Sequence, residues 1–218
     1  MLRLLNLSAL FLCILTAPLH ANDVRTLAES LESKAVHGDI KSAYKLGLLW
    51  SQGKKIAADY HTAAEWFERA AQGGYPQAMI KIAQMYALGQ GVEKSPDTAL
   101  SWYEKAAQKD SRAAMTQLGA IYALTNDFEK SANWYAQSAV KGDSDAMREL
   151  GIYYLNGTGV QFDLTLAFAW LELAAKKGDA QAKSLQKEIL QSKGQEWGDT
   201  LRRQIDNRMV PESYWNAR

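Results

Sequence analysis

The stretch Ala64-Glu65-Trp66-Phe67-Glu68-Arg69-Ala70-Ala71 decides how this chain folds, because it recurs. Its later copies are Leu100-Ser101-Trp102-Tyr103-Glu104-Lys105-Ala106-Ala107, then Ala132-Asn133-Trp134-Tyr135-Ala136-Gln137-Ser138-Ala139, then Ala169-Trp170-Leu171-Glu172-Leu173-Ala174-Ala175. The four tryptophans are 36, 32 and 36 residues apart. Trp and Ala four residues apart share one helical face, and the small residues beside the ring let a neighbouring helix approach closely. A fixed period of this length marks stacked supersecondary units, each burying its apolar face against the next.

The tryptophan helix is the second of its repeat, and a first helix precedes each one. The anchors of these first helices are Leu46-Gly47-x-x-Trp50, Ile82-Ala83-x-x-Tyr86, Leu118-Gly119-x-x-Tyr122 and Leu150-Gly151-x-x-Tyr154. Glycine inside a helix costs about 1 kcal/mol relative to alanine. Its repetition at one register implies that the paired helix crosses over that position, with the aromatic three residues later filling the space between the two.

Punctuation sets the boundaries. Asp59, Ser95, Asp127 and Asp163 each stand seven residues before a tryptophan, and all are good helix N-caps. Asp39, Ser111, Asp143 and Asp179 start the first helices in the same way, whereas Tyr75-Pro76 is a weak cap followed by a proline suited to the first helical position. Gly89-x-Gly91-Val92 and Gly157-x-Gly159-Val160 supply the backbone freedom to leave one helix and turn into the next. The first copy keeps Gly53 but carries Lys55 and Ile56, a degenerate turn. The third repeat is four residues short between Tyr122 and Trp134, where Thr125-Asn126 replaces the glycine loop; its helices should survive while the loop shrinks.

The expected class is therefore all-α, an α-solenoid of about four helix-turn-helix repeats with degenerate helical caps. The repeats fall at about 38–73, 74–109, 110–141 and 142–177. Array ends need caps that hide the sticky face. Residues 22–37, with Leu27 and Leu31 at helical spacing, supply one, and residues 180–218 the other. There Lys187 stands where Gly is expected, a last helix runs from near Trp197 to Met209, and Pro211 to Arg218 forms a tail.

The first 21 residues read as a secretory signal peptide: Arg3, an apolar run from Leu4 to Leu15, and Ala21 before the polar Asn22-Asp23. The implied location is periplasmic or secreted. Cys13, the only cysteine, lies within that run, so the mature chain of about 197 residues would hold no thiol and no disulfide. Loss of Arg3 leaves 24 basic and 24 acidic side chains. A neutral chain without a basic stripe lacks the footprint of a nucleic-acid binder.

On the anchors and turns above, the sequence resembles the Sel-one-like repeat family of the tetratricopeptide repeat superfamily. The shared pattern is Ala-x-x-x-Leu-Gly-x-x-Tyr-x-x-Gly-x-Gly-Val, then Ala-x-x-Trp-Phe/Tyr-x-x-Ala-Ala-x-x-Gly, over about residues 36–190. The resemblance implies a right-handed superhelix that mediates protein–protein contacts. Some exported relatives carry a disulfide in each repeat and are linked to β-lactam binding; the repeats here have no cysteine.

The sequence carries no constellation of reactive residues. His37 and His61 belong to different repeats and form no zinc pattern. The Gly-x-Gly-Val turns follow helices rather than strands, which sets them apart from nucleotide loops. Glu65, Glu68 and Glu104 fit a solvated helix face, and the Trp and Tyr columns read as core. No catalytic residue, metal site or cofactor is therefore expected. By the resemblance, partners bind the concave wall built by the first helices. That register selects Tyr44, Leu48, Ile80, Gln84, Thr116, Arg148, Ile152 and Asn156, with Lys41 and Asp145 at the edges. So apolar a wall needs to be filled: by an apolar or helical peptide from a partner, or by tight closure of the superhelix or the chain's own tail. A neutral groove implies binding that weakens only slightly with salt. The function expected is an exported adaptor that recruits or regulates an envelope protein. The alternative is a secreted host-interaction factor, and a β-lactam-processing enzyme comes third.

Overall fold

The computed structural model describes residues 20–53 and 58–206. Its described residues form eleven helices and no strand. The apolar run Leu4–Leu15 with Cys13, the Lys55-Ile56 turn and the tail from Pro211 lie outside the described residues. Two compact units divide the chain, Met1–Ala99 and Leu100–Arg218.

The N-terminal unit holds α1 (His20–Val36), α2 (Ile40–Gln52), α3 (Tyr60–Gln72), α4 (Pro76–Leu88) and the first turn of α5 (Pro96–Gln108). Here α2 packs against α1 and α3, and α3 against α4. The C-terminal unit holds the rest of α5 and α6 (Arg112–Leu124), α7 (Phe128–Val140), α8 (Ser144–Asn156), α9 (Leu164–Lys176), α10 (Ala180–Lys193) and α11 (Gln195–Asp206). In it α6 pairs with α7 and α8 with α9, α7 packs on α8, and α10 and α11 close over α9.

Each helix from α2 to α9 has 13 residues, including both in the short third repeat. The four missing residues came out of the loop alone, and Asn126 makes its turn with φ of 60°. Caps act where the sequence placed them. The Asp59 carboxylate accepts from the Thr62 N–H, Asp127 from Lys130, Asp163 from Thr165 and Leu166, and the Ser95 hydroxyl from Thr98. Asp39, Ser111, Asp143 and Asp179 cap the first helices similarly. Each cap is worth about 1 kcal/mol. Tyr75 makes no side-chain cap, and Pro76 follows it.

The crossing glycines behave as their register implied, with one correction. A Cβ on Gly47 would lie 2.5 Å from the Phe67 ring, one on Gly119 2.6 Å from Tyr135, and one on Gly151 2.8 Å from Leu171. The residue seated on the glycine is thus the one after the tryptophan. Phe67, Tyr103, Tyr135 and Leu171 are buried, each contributing about 1.5–3 kcal/mol of apolar burial. Trp102 and Trp170 are buried as well, but Trp66 and Trp134 are only half-buried. The expectation that the tryptophan column is core holds for two of four. A helix turns 100° per residue, so the position beside the tryptophan points more directly at the partner helix.

The glycine turns have a second cause besides φ. A Cβ on Gly91 would collide with the Tyr60 carbonyl at the start of α3, and one on Gly159 with the Phe128 carbonyl at the start of α7. Each loop therefore rests on the preceding repeat, locking neighbour to neighbour through backbone.

At the C-terminal end α11 covers α9. Phe168 meets Trp197 edge-on at 5.2 Å, and Leu201 and Ile205 are buried on the same face. Beneath them Glu172, 7 % exposed, accepts from the Gln186 amide at 2.7 Å and from Arg202 at 3.0 Å. One buried carboxylate thus joins α9, α10 and α11. No described helix is long and apolar enough to cross a membrane.

Candidate protein-interaction surface

In the N-terminal unit the predicted wall residues sit on α2 and α4. Tyr44 and Leu48 are one turn apart on α2, and Ile80 and Gln84 one turn apart on α4; all four are half-buried. Their backs are sealed, since Leu46, Ala43, Ala78 and Ile82 are fully buried. Tyr44 is held by two rings, Phe67 of α3 at 5.7 Å and Tyr75 at 5.0 Å. Burial pushes the Tyr44 phenol above its ordinary pKa, with the Tyr75 hydroxyl adding to the effect. Tyr75, the residue without a side-chain cap, thus gives its ring to the wall instead. Gln84 accepts a long bond of 3.5 Å from the Lys81 ammonium. The wall ends on Leu88, 66 % exposed.

In the C-terminal unit α6 and α8 lie side by side. Thr116 of α6 is half-buried and its hydroxyl is engaged internally, 2.7 Å from Ser138 Oγ and 3.2 Å from the Arg112 carbonyl. It shapes the wall without offering a polar contact. Arg148, Ile152 and Asn156 follow one face of α8, with Asn156 exposed and Ile152 half-buried. Leu155 beside them packs against the core. Leu124, the last residue of α6, is 84 % exposed.

Arg148 is the residue whose surroundings the sequence did not announce. Its side chain is only 16 % exposed. Nη1 donates to Asp145 Oδ1 at 2.9 Å and to Asp179 Oδ2 at 2.6 Å. Nε and Nη2 both donate to Glu149 Oε1, at 3.3 and 3.0 Å. Burial opposes the charge on Arg148, but its bonds to Glu149, Asp145 and Asp179 outweigh that and push the pKa up. Burial likewise works against the Asp179 carboxylate. The Ala182 N–H and Arg148 more than offset it and hold Asp179 below the usual carboxylate range. Asp145 and Glu149 lie on the same helix as Arg148 and were legible as neighbours; Asp179, 31 positions on, was not.

His37 follows α1 in a turn, and His61 lies in the first turn of α3. His37 is exposed, with Nδ1 2.6 Å from the Ser33 carbonyl, and His61 Nδ1 is 3.2 Å from the Gly91 carbonyl.

The repeat geometry has close counterparts. A crystal structure of a protective antigen present in uropathogenic Escherichia coli strains, displaying an SLR fold, superposes with a TM-score of 0.72 at 32 % identity. That likeness covers 77 % of this chain and 36 % of the antigen. A Sel1 repeat protein from Oxalobacter formigenes gives 0.68 at 30 % identity, covering 74 % of this chain and 48 % of that one. This chain therefore spans less than half the length of either protein. Among curated proteins none matches it. The family model for the Sel1 repeat matches four consecutive stretches, residues 40–75, 76–111, 112–143 and 144–179, each a first helix with the helix that follows. With every crossing glycine and cap in that register, the chain belongs to the Sel1 repeat family, whose fold generally serves as a protein–protein interaction scaffold.

Proposed function

We propose that this protein is an exported adaptor that binds a segment of another protein along its first-helix walls, recruiting or regulating an envelope component. One observation carries the reading. The outer faces of α2, α4, α6 and α8 keep aliphatic residues half-exposed while their inner faces are sealed, ending on Leu88 and Leu124, which are mostly exposed. Apolar surface of that kind, repeated at one register, is what an interaction site needs and a solvated helix face does not. Export rests on the Leu4–Leu15 run and Ala21, and a periplasmic or released location follows from it. A second reading, a surface or released host-interaction factor, draws on the antigen from uropathogenic strains that shares this fold.

Cell fractionation with mass spectrometry of the protein from its own host is the first test. A mature N-terminus at or near Asn22 supports export, and a full-length cytoplasmic species overturns it. Crosslinking pull-down with the wild type and with Ile152→Asp and Ile80→Asp proteins, checked for folding by circular dichroism, is the second. Partner loss in those variants supports the wall. Retention, with loss on changing exposed residues of α3 or α7, overturns it. Recovery from the envelope favours the adaptor, and recovery from the medium favours the host-interaction factor.

A further inference from the structure

From the α6–α8 wall we infer that the segment bound by the C-terminal unit is an amphipathic helix that sets a lysine or arginine against Asp145 and Glu149 and aliphatic side chains against Ile152 and Leu124. This deepens the wall-binding reading and rests on it. Arg148 is the one residue on this face whose type suggests an anion-binding anchor, and the structure removes it from that role. All three of its nitrogens already donate to carboxylates of the chain itself. The guanidinium acts as a buried strut, and what the wall presents outward is the other side of the pairing.

Three carboxylates share one cation, leaving two negative charges in excess at this level of α8. Asp179 is spent on its cap, with Oδ1 accepting from the Ala182 N–H. Among the described residues, Asp145 Oδ2 and Glu149 Oε2 have no protein donor, and the Asp145 side chain is 68 % exposed. Ile152 follows Asp145 by seven positions and Glu149 by three, so acid and aliphatic residues lie on one helical stripe, about one to two turns apart. An occupant matching the stripe places its cation three to seven residues from its aliphatic anchors. A cationic helix gains from the two free carboxylate oxygens, whereas an acidic segment meets like charge without a donor to offset it. Binding here should weaken with salt more than in a neutral groove.

The test is selection from a display library of random twelve-residue peptides on the full chain, followed by titration of the enriched peptides by fluorescence anisotropy. The expected result is enrichment of Lys or Arg spaced three to seven residues from Leu, Ile or Met. The double variant Asp145→Asn/Glu149→Gln, which leaves Asp179 to hold Arg148, should then bind those peptides about tenfold more weakly. Enrichment of acidic or purely apolar peptides, no enrichment at all, or unchanged affinity in the double variant overturns the inference. The wall itself is tested apart from its charge. Peptides that bind Ile152→Asp protein as tightly as wild type sink the wall reading, while binding that needs Ile152 but ignores both carboxylates sinks only the charge assignment.

Discussion

The pairs α8–α9 and α10–α11 sit next to each other in the C-terminal unit and solve the same packing problem with the glycine on opposite partners. In α8–α9 it belongs to the first helix, where Gly151 admits Leu171 of the second. In α10–α11 the corresponding first-helix position is Lys187, which is exposed. The close approach is restored by Gly198 of α11, where a Cβ would collide with Leu190 of α10. The repeating pair stacks in register; the terminal pair instead swings α11 onto α9 and ties it down through Glu172. Close helix contact needs a small residue at the crossing, glycine in most copies and Ala83 in the second repeat, but is indifferent to which helix supplies it. Loss of the pattern at Lys187 therefore marks a change of geometry rather than the end of the fold.

The largest effect expected is at the repeating glycines. Gly119→Leu or Gly151→Leu forces a side chain into Tyr135 or Leu171 and should cost about 3 kcal/mol. Lys187→Leu, at the equivalent solvent-facing position, should stay within about 0.5 kcal/mol. Thermal unfolding of the three variants checks this, and equal shifts would break the comparison. Next comes the clamp. Glu172→Ala strips the acceptor from the buried Gln186 amide and from Arg202 and should cost about 2 kcal/mol. Hydrogen exchange should quicken across α11 first, because the cap opens on its own before the stacked repeats do.

A smaller loss is expected for Gly198→Ala. The new methyl meets the end of Leu190, a half-buried side chain that can turn, and alanine returns about 1 kcal/mol of helix propensity. The net change should stay below about 1 kcal/mol, whereas Gly119→Ala, set against the ring of Tyr135, should exceed it. Denaturant titration of the two proteins sharpens the contrast between a yielding contact and a rigid one. The smallest effect has the opposite sign. Asp110 holds φ of 61° at a turn where Gly38, Gly74, Gly142 and Gly178 stand in the other copies. Glycine lowers the cost of that conformation, and the Lys141 pair it would remove is an exposed surface ion pair. Asp110→Gly should raise the thermal midpoint by about 2 °C, and a fall would show that the ion pair outweighs the backbone.

Much of this molecule is written locally. The paired helices, their Asp and Ser caps, the shortened third loop and the crossing register of Gly47, Gly119 and Gly151 follow from residue type and period, because each depends on neighbours within a turn or on one repeated spacing. The wall register of Tyr44, Ile80 and Ile152 came from the family resemblance, and the structure leaves all three half-buried. Other features needed the tertiary structure. Periodicity names a face but not the atom that touches it, so Phe67 rather than Trp66 beneath Gly47 could not be read in advance. Nor could Gly198 taking over from the glycine missing at Lys187, since α11 leaves the repeat register. The saturation of Arg148 belongs here too: its deciding partner, Asp179, arrives from the N-cap of α10, 31 positions on. Charge in the sequence says what a side chain carries; only the fold decides whether that charge is already answered before a partner comes.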